Sequence, residues 1–260
     1  MTYLADLTQA SSLMDGKRVA TMRVITNTKA SARRPMAGFT ILEMAIVLVV
    51  IGLIIGAVTI GQDVYRNAQY QRINSTFVQS WQIAYDAYTQ NTGIVPGDDA
   101  TAPSGKINSD GSELCNGPSN AMLNAFLAAG IELPEGRAEG QNDRYVYEDA
   151  NGNPQEVRVC FDAVNWAVPG ASVGSYVARE RNVMVLKNLT PSLARYLDAG
   201  IDGKADARFG RFREDSIADS TQPDSVEWSL DDRMAYGATT ATSRDEDQIA
   251  VVSAYYLMNR

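Results

Sequence analysis

The chain has 260 residues, a pI near 4.7 and a formal charge of -8, and 45% of its residues are apolar. That composition separates it from disordered chains and allows one large packed domain or two small ones. It has no histidine, so Ser-His-Asp and Cys-His chemistry lack their proton carrier, zinc lacks its commonest ligand, and no catalytic role and no cofactor are expected.

Charge is unevenly placed. Of 23 basic and 31 acidic residues, residues 1–38 hold six (Lys17, Arg18, Arg23, Lys29, Arg33, Arg34) and two (Asp6, Asp15), which leaves 17 and 29 for the rest, a net of -12. Neutralising phosphates needs clustered Lys and Arg, so nucleic acid is not expected as a partner.

Phe39 to Ile60 is an apolar run of 22 residues whose single charge is Glu43. At 1.5 Å per residue it makes about 33 Å of helix, enough to span a bilayer core. Arg33 and Arg34 before it orient the N-terminus toward the cytoplasm. The run is too long for an ordinary secretory signal and is followed by no small-residue cleavage pattern. A carboxylate at the centre of a membrane helix costs about 2.5–3.5 kcal/mol on insertion scales, less near the end, and such a group usually has a partner.

Gly38-Phe39-Thr40-Ile41-Leu42-Glu43, preceded by basic residues and followed by an apolar run, resembles the cleavage and methylation segment of type IV prepilins and type II secretion pseudopilins. The resemblance implies that a prepilin peptidase cuts after Gly38 and methylates the new N-terminus at Phe39, and that Glu43 guides docking into a filament. It further implies the partners: the peptidase, other pilin or pseudopilin subunits, and an inner-membrane assembly platform. The subunit would sit single-pass in the inner membrane, its N-terminus cytoplasmic and its head periplasmic, or extracellular once in a filament. Residues 1–38 would be the leader, which is long; a start at Met22 would leave 17 residues with no acidic one. An uncleaved signal anchor carrying an exported ligand-binding or enzymatic domain is the alternative. A DNA-uptake pilin is another, with Arg208, Arg211 and Arg213 as the surface patch to inspect.

Residues 61–92 continue the helix, with Ile73, Phe77, Trp81, Ala84, Tyr85 and Tyr88 on one face and a stop at Asn91-Thr92-Gly93. Gly52, Gly56 and Gly61 are the expected weak points. Residues 93–260 are predicted to form a pilin-like α+β head, a small antiparallel sheet packed on that helix. Pro96-Gly97-Asp98-Asp99 reads as a turn-rich loop and also resembles a "PGD" segment of a pilin-like subgroup. Then come a helix over Asn120–Ala129, strands over Arg144–Glu148 and Glu156–Phe161 joined by a turn at Asn151-Gly152-Asn153-Pro154, and a strand over Val183–Leu186. Thr190 is predicted to cap a helix to about Ala199, residues 213–224 to form an exposed acidic loop, and Gln248–Leu257 to form a closing strand.

Cys115 and Cys160 both follow the apolar run. If that run delivers the head across a membrane they enter an oxidising compartment, where a disulfide is expected, two separate buried thiols being the alternative. Because 100 residues follow Cys160, the bridge would tie the loop after the long helix to the second strand, unlike the C-terminal loop usual in the resembled family. Asp198, Asp202 and Asp206 lie four apart on a Gly-containing stretch. Calcium is one reading of them and a structural acidic loop the other, and no metal is assigned.

Overall fold

The structure, a computed structural model, describes residues 38–138, 141–237 and 248–259. The leader expected over residues 1–38 therefore lies outside the described residues except for Gly38. The chain divides into two units, one up to Ile51 and one from Gly52 onward, and each is described by itself.

In the first unit Gly38, Phe39 and Thr40 precede helix α1 (Ile41–Arg72), two residues later than the apolar run begins. The reason is Thr40, whose Oγ1 accepts the Glu43 N–H at 3.1 Å while its carbonyl accepts the Met44 N–H. Thr40-x-x-Glu43 is the sequence of a capping box. Every described residue from Gly38 through Tyr65 is exposed. This is the one described helix long and apolar enough to cross a membrane.

Helical structure continues through a π turn (Ile73–Val78) into α2 (Gln79–Thr92), which ends on Gly93 at φ 78°. The glycines at 52, 56 and 61, expected as weak points, lie inside regular α1; the irregular turn falls later, at Ile73–Val78. The sequence explains its place. Ile73, Phe77, Trp81, Tyr85 and Thr89 are all buried and four apart, and each step of four overshoots a 3.6-residue turn by about 40°. A wider turn, closed by the Gln79 N–H on the Asn74 carbonyl five residues back, returns the stripe to the head.

The head is a six-stranded, wholly antiparallel sheet: β1 (Leu114–Cys115), β2 (Arg144–Glu148), β3 (Pro154–Pro169), β4 (Tyr176–Leu189), β5 (Phe212–Glu214) and β6 (Val252–Leu257). The order is β1-β3-β4-β6-β5, with β2 also on β3. Helices α3 (Ala121–Ala128) and α4 (Pro191–Asp202) complete it. The expected α+β class, a long N-terminal apolar helix with a small antiparallel sheet, is therefore present.

Alternation along the strands divides the sheet into two faces. Val157, Val159, Phe161, Met184 and Leu186 join the helix stripe in the main core, where the Trp81 and Tyr85 rings meet Phe161 at 6.1 and 5.3 Å. Cys160, Trp166, Val183 and Val185 form a second cluster on the other face with Ala218. Tyr70 touches α4 through Ser192 (2.8 Å) and Tyr196, and the Tyr256 hydroxyl of β6 donates to Gln82 at 3.0 Å.

Four expectations need correction. β3 and β4 run far beyond Glu156–Phe161 and Val183–Leu186, pairing down to Pro169–Tyr176, because antiparallel backbone pairing across a hairpin does not depend on apolar alternation. Residues 213–224 are not one exposed loop: Phe212–Glu214 is buried strand and Ala218 is buried. The closing strand starts at Val252, not Gln248. Thr190 stands at the N-cap of α4 without a side-chain capping bond, its place taken by Pro191 in the first turn, and α4 runs on to Asp202.

Candidate functional site

The first candidate is the junction before α1. Gly38, Phe39 and Thr40 are non-helical, Phe39 is 76% exposed, and nothing lies within 4 Å of where a Gly38 side chain would be. A peptide bond in an exposed, non-helical segment can enter a protease cleft, whereas one inside a helix must first unwind. Glu43 occupies the third helical position, where the unpaired N–H groups of the first turn favour a negative charge. That supplies a local reason for a carboxylate here; its side chain has no ion-pair partner among the described residues.

The second candidate lies between α4 and β5. Asp198, Asp202 and Asp206 each bind the chain itself through at least one carboxylate oxygen, and Asp198 Oδ1 is buried without a hydrogen-bond partner. Asp198 Oδ2 accepts the Trp228 indole N–H at 2.9 Å and the Asp206 N–H at 2.7 Å. Asp202 accepts the N–H groups of Arg211 and Phe212 at 2.8–2.9 Å. Gly210, at φ 92°, passes so close to the Asp202 carboxylate that no side chain fits there. Asp206 Oδ1 accepts N–H groups from Arg208, Phe209 and Val226, and its Oδ2 meets Lys204 at 3.0 Å. These carboxylates are the internal frame of a loop, which supports the structural reading of the stretch.

Their protonation follows from these surroundings. Burial pushes Asp198 up to about 7, against the pull of its Trp228 and Asp206 bonds and with help from the charges of Asp202 and Asp206. Burial also pushes on Asp206, but Lys204 and the backbone donors outweigh it and hold Asp206 below the usual range.

The basic surface patch expected at Arg208, Arg211 and Arg213 is not there. Arg208 is 1% exposed; its guanidinium donates to the carbonyls of Ser220 and Asp224 and lies against the neighbouring rings of Tyr176 and Phe209. Arg213 is buried too, 4.0 Å over the Trp166 ring, donating to the carbonyls of Gly210, Ala167 and Ala218. Burial and the nearby Arg208 charge draw it down to about 10. Arg211, half-buried, donates to Leu257 and Asn259. Arginines next to aromatics in Arg208-Phe209 and Arg211-Phe212 were a signal for stacking inside the fold.

Cys115 and Cys160 form the expected disulfide, between directly opposed residues of β1 and β3. A Glu113 carboxylate oxygen lies within 4.8 Å of both sulfurs, but sulfurs bonded to each other offer no thiolate to a metal. Sequence reasoning gave Asp98 no role. Its carboxylate organises the loop after α2, accepting the Ser104 and Gly105 N–H groups at 3.1 and 2.8 Å and the Ser104 hydroxyl at 2.9 Å. Burial opposes ionisation, but these donors and Ser109 outweigh it and hold Asp98 at about 2. The preceding Gly97, at φ 78°, has no room for a side chain against Asn108.

Comparison with family models, curated proteins and solved structures gives no match.

Proposed function

We propose that this chain is a type IV pilin-like structural subunit, of a pilus or of a type II secretion pseudopilus. It would be made as a prepilin, cut after Gly38, methylated on Phe39 and polymerised through the helix that follows. The observation that carries the reading is the order of features at one place: an exposed Gly38-Phe39 junction, Glu43 in the first helical turn, then an apolar helix with no buried residue before Tyr70.

Cutting after Gly38 creates an α-amino group at Phe39, four residues before Glu43. In a bundle of chains it meets the Glu43 carboxylate of a neighbour, and each charge gains a counterion where an unpaired one is penalised. Moving the apolar helix from lipid to a filament core exchanges one dry environment for another, so packing, this pairing and an external motor must drive assembly. Prepilin peptidase, the assembly platform and other subunits in the inner membrane are the partners of this reading.

Mass spectrometry of the membrane-extracted protein tests it. The expected N-terminus is N-methyl-Phe39; a mass that retains the residues before Phe39 supports the signal-anchor alternative and sinks the pilin reading.

A further inference from the structure

The distal half of the β3–β4 hairpin leaves one backbone edge open, and its free side chains carry the opposite sign to the rest of the head. β6 meets β4 only from Val183, opposite Leu257, whereas β3 accompanies β4 from Tyr176 onward. Two hydrogen bonds fix where the amides point. Ala167 donates its N–H to the Ala218 carbonyl, away from β4, so its partner Ala178 turns its own N–H and carbonyl away from β3, as opposed residues of a wide antiparallel pair do. At the other end the Asn182 carbonyl accepts the Met258 N–H at 3.1 Å, on the β6 side. Backbone groups alternate along a strand, so Ala178 and Glu180 face the same edge as Asn182, and among the described residues no strand lies beside them.

This edge is exposed from Val177 to Arg181. The Glu180 carboxylate is neutralised by Lys106 at 2.7 Å. Arg181 bends back to the Glu180 carbonyl at 3.1 Å, which puts its cation on the edge and leaves that carbonyl a second lone pair. Arg179 and Arg181 lie two apart, hence on one face, in register with Trp166 and Val164. Two exposed cations at strand spacing thus stand in a head of strongly negative net charge. A second copy is a poor occupant. Antiparallel registers that pair the whole edge set Arg179 opposite Arg179 or Arg181, and like charges directly opposite destabilise a sheet.

We propose that the Val177–Arg181 edge takes an extended acidic segment of a partner protein as an added strand, with carboxylates at alternate positions meeting Arg179 and Arg181. The backbone edge supplies pairing and the two arginines supply selectivity. The inference rests on the head alone and stands whether or not Gly38 is cut.

The test is fluorescence anisotropy of a fluorescein-labelled Val-Glu repeat hexapeptide with the full chain in detergent micelles. Saturable binding is expected, at least tenfold weaker for Arg179→Glu/Arg181→Glu and for a peptide with Lys in place of Glu. Ala178→Pro removes one outward N–H and leaves the β3 ladder intact, and it too should weaken binding at least tenfold. The same peptide N-methylated at alternate amides should fail to bind the unaltered chain, a readout that does not depend on a variant folding. No saturable binding at millimolar peptide, or full affinity for the N-methylated peptide, overturns the proposal, since the arginines then only guard the edge or attract charge without pairing. Self-association abolished by Ala178→Pro would overturn it in favour of a second copy.

Discussion

The helix before Tyr70 and the loop frame around α4 treat charge in opposite ways. From Phe39 to Ile60 the chain carries one ionisable side chain, and it lies at the exposed start of the helix. Between Asp198 and Glu214 it carries many, and five of them, Asp198, Asp206, Arg208, Arg213 and Glu214, are buried. In the second region nearly every charge is spent within the fold, on backbone N–H groups, carbonyls and aromatic rings. In the first, apolar surface and a carboxylate are both presented outward. The contrast separates charge used to hold a loop from charge placed where another molecule can reach it, and it warns that sequence density of charge is a poor guide to which is which.

The largest expected effect breaks the first side of that comparison. Glu43→Ala should leave cleavage after Gly38 intact by mass spectrometry and abolish or severely impair filament incorporation, read by shearing and sedimentation. Normal filaments from that variant would show that the carboxylate serves only its own helix start, and a Glu43→Gln variant that also assembled would remove charge from the account altogether.

On the other side, the disulfide is the strongest covalent element of the head, closing a separation of 45 residues. A loop of that size stabilises by about 4 kcal/mol in the chain-entropy account. Cys115→Ser/Cys160→Ser should lower the urea midpoint of the head accordingly. Trp166 and Trp228 of the head and Trp81 of α2 packed on it, all buried, make fluorescence a direct readout of its unfolding.

The two regions also differ in how far they could be read in advance. The helix stripe was legible because periodicity is a property of one segment: Ile73, Phe77, Trp81, Ala84, Tyr85 and Tyr88 are all buried. Arg144–Glu148 was legible for the same reason, as five residues of alternating character. The far ends of β3 and β4 were not. Asn165 and the run Arg179-Glu180-Arg181 have no apolar alternation, and only pairing across the β3–β4 hairpin makes them strands. Phe212–Glu214 was hidden likewise, since Arg213 looks like surface until Trp166 and the Ala167 carbonyl are brought to it. The junction at Gly38 needed only contiguous residues, whereas the Asp198–Trp228 bond spans 30 residues that no local pattern connects.

Arg213 therefore offers the next test. Arg213→Ala leaves the Ala167 and Ala218 carbonyls without their guanidinium donor and uncovers Trp166. The Ala218 carbonyl keeps the Ala167 N–H, so one buried carbonyl, that of Ala167, is left unsatisfied at about 1–3 kcal/mol, and a loss of about 2 kcal/mol is expected in the fluorescence-detected urea transition. A loss within experimental error would mean that the loop frame holds without its buried cation, and the contrast with the apolar helix would weaken.

The smallest effect is a slope in pH. Asp98 and Asp198 are shifted in opposite directions, to about 2 and about 7. For Asp98 the folded state releases its proton more readily than the unfolded chain, so its contribution is present above about pH 4 and is lost as pH falls toward 2. For Asp198 the folded state holds the proton more tightly; its contribution is full below about pH 4, declines as pH rises, and is gone above about 7. Asp198→Asn isolates the second arm. The amide oxygen can still accept from Trp228 and Asp206 at the place of Oδ2, while the remaining position never ionises. The variant should match the parent near pH 4 and exceed it near pH 8, and the parent's decline across that range should flatten. If both proteins instead lose stability in parallel between pH 4 and 8, the slope belongs to other groups, and the buried Asp198 carboxylate is held ionised by its own Trp228 and Asp206 donors.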